Sequence, residues 1–176
     1  MSVPDDHVDR FLERLASLPQ EVEIDLEVEG IIDRIGGLNR RIKRGMQTVV
    51  AEHGLTLEDW HVLSHLRVGP EGNRSSPGEL AVSLELSSGA MTSRLDRLEE
   101  AGLVRRLPDP DDRRAVVVEL TEEGVRRWDT AASVAGRREA FLASALTKAE
   151  QRQLNGLLRK LMLAFEEREG GASGKR

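Results

Sequence analysis

Residues 76–123, SPGELAVSLELSSGAMTSRLDRLEEAGLVRRLPDPDDRRAVVVELTEE, carry the pattern that decides the fold. Ser76-Pro77-Gly78-Glu79 starts a helix: a capping serine, a proline where the absent N–H costs nothing, and a glutamate placed to close a capping box. That helix is short, with Leu80, Ala81 and Leu84 as its apolar positions. A turn at Leu86-Ser87-Ser88 leads into a second helix ending near Ala101-Gly102, on which Met91, Leu95 and Leu98 recur at helical spacing and face a core. Leu103 to Leu107 and Ala115 to Leu120 read as strands, joined by Pro108-Asp109-Pro110-Asp111-Asp112-Arg113-Arg114, a loop longer than a minimal hairpin turn. Thr121-Glu122-Glu123 caps a further helix.

Helix, turn, helix, charged hairpin, helix is the order of a winged helix-turn-helix, and the predicted class is mainly α with a small β wing. With Met91, Leu95 and Leu98 inside, the second helix presents Ser87, Ser88, Ala90, Thr92, Ser93, Arg94 and Arg97 outward. Such a small, hydroxylated and basic face suits the major groove of double-stranded DNA, where Arg reaches guanine or phosphate and Ser or Thr touches base edges or backbone. Arg113 and Arg114 stand at the tip of the hairpin, placed to enter a narrow minor groove, with Asp111 or Asp112 able to steady one of them.

The net charge of −5 is unevenly spread: the first 30 residues hold nine acids and two bases, whereas the last 46 hold five acids and nine bases. Local potential rather than the total steers a polyanion, so the acidity weakens the DNA reading without removing it. No cysteine occurs, which excludes disulfides, thiolate metal sites and thiol redox sensing. No apolar run is long enough for a membrane span, and Asp5, Asp6 and Asp9 stand where a secretory signal needs bases; a cytoplasmic protein is expected.

Around this lobe the chain reads as helical. Residues 1–30 form an amino-terminal extension, with Val8, Phe11, Leu12, Leu15 and Leu18 at helical spacing before Pro19. Glu21 to Glu29 alternates acid and aliphatic like a strand, yet Ile31, Ile32, Ile35, Leu38, Ile42, Met46 and Val49 follow at helical spacing. The start of that helix is therefore open, and its end falls at His53-Gly54. Thr56-Leu57-Glu58-Asp59 caps the next helix, and Gly69 to Asn73 is a loop. Beyond residue 121, a long helix runs towards Leu146, and Thr147-Lys148-Ala149-Glu150 begins another with Leu154, Leu157, Leu158, Leu161, Met162 and Phe165 on one side. The expected division is 31–55 and 121–168 as dimerisation helices, 56–120 as the DNA-binding lobe and 169–176 as a disordered tail.

The stretch from Ser75 to Gly124 resembles the MarR family of bacterial transcription regulators. Three places carry the resemblance: Ser-Gly-Ala-Met-Thr-Ser-Arg-Leu-Asp-Arg-Leu-Glu at 88–99, Ala-Gly-Leu-Val at 101–104 and Asp-Pro-Asp-Asp-Arg-Arg at 109–114. Looser similarity extends over about residues 31–165. The resemblance implies an obligate homodimer with intertwined terminal helices and a small-molecule pocket between the dimer and DNA-binding lobes. It assigns base reading to Ser87–Arg97 and wing contacts to Arg113 and Arg114. The amino-terminal helix and acidic segment resemble a branch responsive to urate or related small carboxylates. That branch often carries a tryptophan on this helix, and here none precedes Trp60. Asp59 and Arg94 fall where its polar ligand residues stand.

A repressor of a pseudo-palindromic operator, released by a small anionic effector, is the expected function. Arg74 and Arg94 are read as facing the effector cleft, with Asp59 and Trp60 beside them; Trp60 and Trp128 also suit the core or an interface. His61 and His65, four apart on a helix, have zinc-compatible spacing if Glu58 or Asp59 joins them, so a metal-responsive regulator is one alternative. A winged-helix protein-interaction module without DNA is the other. No metal site, cofactor or catalytic constellation is assigned: neither a phosphate-cradling glycine loop nor a serine with a plausible base partner is present.

Overall fold

The computed structural model describes residues 4–19, 23–69, 72–109 and 115–173. In chain order the elements are α1 (His7–Ala16), α2 (Leu26–Glu52), α3 (Leu57–Val68), β1 (Arg74–Ser75), α4 (Pro77–Ser83), α5 (Ser88–Glu100), β2 (Val104–Pro108), β3 (Val116–Leu120), α6 (Glu122–Ala145) and α7 (Lys148–Ser173). The fold is mainly helical with one small antiparallel sheet, ordered β1-β3-β2. The chain divides into two compact units, Met1–Arg127 and Trp128–Arg176.

In the first unit the core is built by the residues whose spacing marks them as inward. Val62, Leu63 and Leu66 of α3, Leu80 of α4, and Met91, Leu95 and Leu98 of α5 are buried, as are Leu103, Val104, Val118 and Leu120 at the sheet. Each large aliphatic side chain buried this way contributes about 1.5–3 kcal/mol, so α5 is held chiefly by its own inner face. Val49 and Val50, also buried, tie the end of α2 to this lobe. Capping boxes close the starts of α3 (Thr56 with Asp59) and α4 (Ser76 with Glu79). Glu85, at φ 53°, ends α4 in the left-handed conformation, and the amides of Glu85 and Leu86 donate to the carbonyls of Val82 and Ala81.

The alternating segment before α2 resolves as a helix start. Asp25 Oδ1 accepts from the amides of Glu27 (3.0 Å) and Val28 (3.2 Å), and helical spacing wins from Leu26 onward. Its first residues, Glu21 and Val22, lie outside the described residues. The α1 helix lies along α2, with Leu12 beside Gly30 and His7 beside Gly37, while Arg34 pairs with both Asp6 and Asp9.

Two features depart from the sequence reading. Strand β1 was not foreseen because two residues carry no period; it exists only by pairing Arg74 with Glu119 and Ser75 with Val118. The tail expected from residue 169 is helical through Ser173, because an established helix gains one hydrogen bond for each residue added.

In the second unit, the later half of α6 is followed by α7. Thr147 Oγ1 accepts from the Glu150 amide (3.3 Å), and the Thr147 amide donates to Glu150 Oε2 (2.7 Å). Leu154, Leu157, Leu161, Met162 and Phe165 of α7 are exposed. Among the described residues, no helix is long and apolar enough to cross a membrane.

Candidate nucleic-acid interface

The putting together of α4, the tight turn and α5 aims one helix face outward. Ser87 caps α5 by accepting from the Ala90 amide at 3.3 Å, and Ser87, Ser88, Ala90, Thr92, Ser93 and Arg97 are all exposed. Thr92 donates its hydroxyl back to the Ser88 carbonyl at 2.9 Å, so its methyl group and oxygen lone pair remain for a partner. The cap and helix start also present backbone N–H groups and a positive dipole end, which suit a phosphate.

Arg94 is placed differently from its neighbours: its side chain is only 16% exposed and turns towards α3. There Nη1 donates to Asp59 Oδ1 at 3.0 Å and to Thr56 Oγ1 at 3.3 Å. Arg97 Nη2 donates to the same Asp59 Oδ1 at 3.1 Å while its side chain stays 57% exposed. Asp59 Oδ2 accepts the Thr56 amide, completing the α3 cap. One buried carboxylate therefore starts α3 and holds two guanidinium groups of α5. Two cations against one anion leave a local surplus of positive charge, and Arg94 Nε is buried with no hydrogen-bond partner among the described residues.

A second network fixes α5 against the sheet. Arg106 donates to Glu99 Oε2 and Asp96 Oδ1, both at 2.6 Å, and its amide donates to Glu99 Oε1 at 3.0 Å. Two of the acids of α5, Asp96 and Glu99, thus share one base of β2. At the base of the wing, Glu119 lies between Arg74 on β1 and Arg105 on β2, in register with both, at 3.0 Å and 2.7 Å. Burial pushes the Glu119 carboxyl up, but the Arg105 and Arg74 hydrogen bonds outweigh it and hold the group below the usual carboxylate range. Thr121 stitches the wing to its flanking helices: its amide donates to the Leu103 carbonyl, its hydroxyl donates to the Gly102 carbonyl, and Oγ1 accepts from the Gly124 amide.

Of the residues singled out from the sequence, the structure brings Asp59, Arg94 and Arg97 together. Trp60 is buried in the α3 core face and Arg74 is engaged with Glu119. Arg113 and Arg114, with Asp111 and Asp112, lie outside the described residues. His61 and His65 join no group of three potential metal ligands among the described residues. Arg106, Asp96, Glu99 and Glu119 were not anticipated as a scaffold. The alternation of signs between α5 and β2 was the available signal, but pairing across 7 and 10 residues needs the fold to be known.

A recognition-type helix with an outward hydroxylated and basic face, seated beside a three-stranded wing, defines a winged helix-turn-helix DNA-binding protein of the transcription-regulator class. The chain belongs to the MarR family. Residues 53–115 match the MarR family model. The chain is 31% identical over 126 residues to the multiple antibiotic resistance protein MarR of Escherichia coli, covering 71% of this chain and 85% of that one. It is 29% identical over 136 residues to the HTH-type transcriptional regulator PecS of Dickeya dadantii, covering 77% and 82%. Among solved structures, a mutant MarR from E. coli complexed with operator DNA superposes with a TM-score of 0.65 at 29% identity, over 80% of this chain and 99% of that one. AbsC from Streptomyces coelicolor shares the fold, with a TM-score of 0.70 at 23% identity, covering 84% and 99%.

Proposed function

We propose that this regulator works in the cytoplasm as a homodimeric repressor of a pseudo-palindromic operator and leaves the DNA when a small anion of the carboxylate class binds. The observation that carries the DNA reading is the outer face of α5. Ser88, Ala90, Thr92, Ser93 and Arg97 are exposed, while Met91, Leu95 and Leu98 lock the opposite face into the lobe. The similar E. coli MarR complexed with operator DNA supports the same use here. Arg113 and Arg114 are assigned to the wing contacts.

Dimerisation is assigned to residues 31–55 and 121–168, and the DNA-binding lobe to 56–120. The exposed apolar stripes of α2 and α7 support this assignment, because a soluble monomer rarely keeps such long patches open. The effector site is assigned to the Asp59–Arg94 pair. An anion that draws Arg94 from Asp59 takes away a neighbour of Arg97, coupling the effector to a DNA-reading side chain. Coupling of roughly 1–3 kcal/mol gives a 5- to 150-fold loss of affinity.

The test is binding to DNA from immediately upstream of the protein's own gene across a salt series with nonspecific competitor. Tight binding that survives competitor and weakens with salt supports the regulator; binding equally lost to any competitor overturns operator recognition at that site.

A further inference from the structure

Resting on the DNA reading above and deepening it, we infer that Gly89 and Glu100 are specificity-determining residues at opposite ends of α5. Gly89 is where a base-pair edge packs directly on the helix backbone, and Glu100 holds the far end of the helix off the phosphates. Helical spacing sets Gly89, Ser93, Asp96 and Glu100 on one line, opposite the buried Met91, Leu95 and Leu98. All four are exposed, so this line is the outermost part of α5.

Glycine weakens a helix relative to alanine, so its place in the first turn of α5 needs a cause. The fold supplies none: a Cβ at Gly89 would meet no atom within 4 Å, and the backbone there is ordinary helix. The other glycines of the lobe are accounted for within it. Gly72 and Gly102 adopt positive φ, and a Cβ at Gly69 would lie 2.6 Å from the His65 carbonyl oxygen. A Cβ at Gly78 would touch Ser76 Oγ at 3.9 Å. The neighbours of Gly89 on the exposed face, Ala90 and Ser93, are small, so the backbone itself is the surface offered. A base-pair edge seated there leaves no room for a side chain.

The other end of the line carries charge of the opposite kind to its task. Asp96 is 59% exposed and held by Arg106 at 2.6 Å, and the exposed Glu100 lies one turn beyond it. From Gly89 to Glu100 the helix rises about 16 Å, twice the screening distance of about 8 Å at physiological salt. A helix seated on Gly89 and tipped upwards therefore carries Glu100 clear of the phosphates. A helix lying flat presses both carboxylates towards them. Phosphate contact is the same for every sequence, so Glu100 penalises DNA on which the Gly89 end does not seat.

The test compares binding to two labelled duplexes: DNA from immediately upstream of the protein's own gene, and a scrambled sequence of equal length. Gly89→Ala should unfold at the same temperature as wild type or higher, because alanine favours the helix. Its affinity for the upstream DNA should nonetheless fall about ten-fold or more, with much less change on the scrambled duplex. Gly89→Leu should lose more. Glu100→Gln should bind the scrambled duplex several-fold more tightly while changing little on the upstream DNA, so that discrimination shrinks. Full-strength upstream binding by Gly89→Ala, or an equal loss on both duplexes, overturns the role of Gly89. An unchanged ratio in Glu100→Gln overturns the role of Glu100. A wild type that binds neither duplex overturns the DNA reading itself.

Discussion

Asp59 and Arg97, 38 residues apart in sequence, meet at 3.1 Å, so the start of α3 and an outward arginine of α5 share one carboxylate. The same oxygen receives Arg94, and the other oxygen caps α3. Asp59→Ala should therefore act on stability and DNA binding together. It removes a cap and leaves the largely buried Arg94 without its anion, at a cost of about 2–3 kcal/mol. Urea unfolding should show a lower midpoint; an unchanged midpoint would mean the network carries no stability.

Arg97→Ala should separate the two effects. The Arg97 side chain is 57% exposed, so its pair with Asp59 is worth at most about 1 kcal/mol to folding. If it reads a base, operator affinity should fall by about 1–3 kcal/mol with the dimer intact. Fluorescence anisotropy with labelled operator measures this, and full-strength binding would remove Arg97 from the interface.

Gly124→Ala should be among the most damaging substitutions for its size. A Cβ at Gly124 would lie 2.0 Å from the Leu103 carbonyl oxygen, which is backbone and cannot swing aside. Separating α6 from the sheet edge should cost about 1–3 kcal/mol or more. Thermal unfolding checks it: an unshifted midpoint would show that the first turn of α6 is free to move.

Acid should destabilise the fold through identifiable carboxylates. Glu79 is held below its usual range first by the Ser76 amide, and Glu119 by Arg105 and Arg74 against the opposing effect of burial. With folded values below unfolded ones, this stability is fully present above the ordinary glutamate value of about 4.3 and is lost as pH falls through the folded values. Urea midpoints measured from pH 7 down to pH 3 should fall in that window. Glu119→Gln should flatten part of the fall, and an unaltered slope would exclude Glu119 as a source.

What the sequence made legible was the part governed by local rules. Met91, Leu95 and Leu98 are spaced to face inward, Ser76-Pro77-Gly78-Glu79 closes its own cap, and the wing strands announce themselves by their branched residues. The direction of Arg94 was left open between the outer face and the cleft beside Asp59. Its position on the helix suits the outer face, and only the arrival of Asp59 from another helix turns it inward. The same holds for Glu119, whose two arginine neighbours come from separate strands, and for β1, which two residues cannot signal. The alternation before α2 was ambiguous because Asp25 can end an extended segment or begin a helix, and only the cap geometry decides.

The stitch at Thr121 has a consequence for how such a regulator can be altered. Gly102 and Leu103 on one side and Thr121 on the other close the hairpin at its base, so the chain between them is an insert with fixed ends. The entropic cost of closing a loop grows slowly with its length, about 0.6 kcal/mol for each doubling. The segment between Pro108 and Val116 is therefore a graft point: loops of other lengths and charges can be exchanged there while its ends stay pinned, and under the wing contacts proposed above such exchanges should alter DNA affinity.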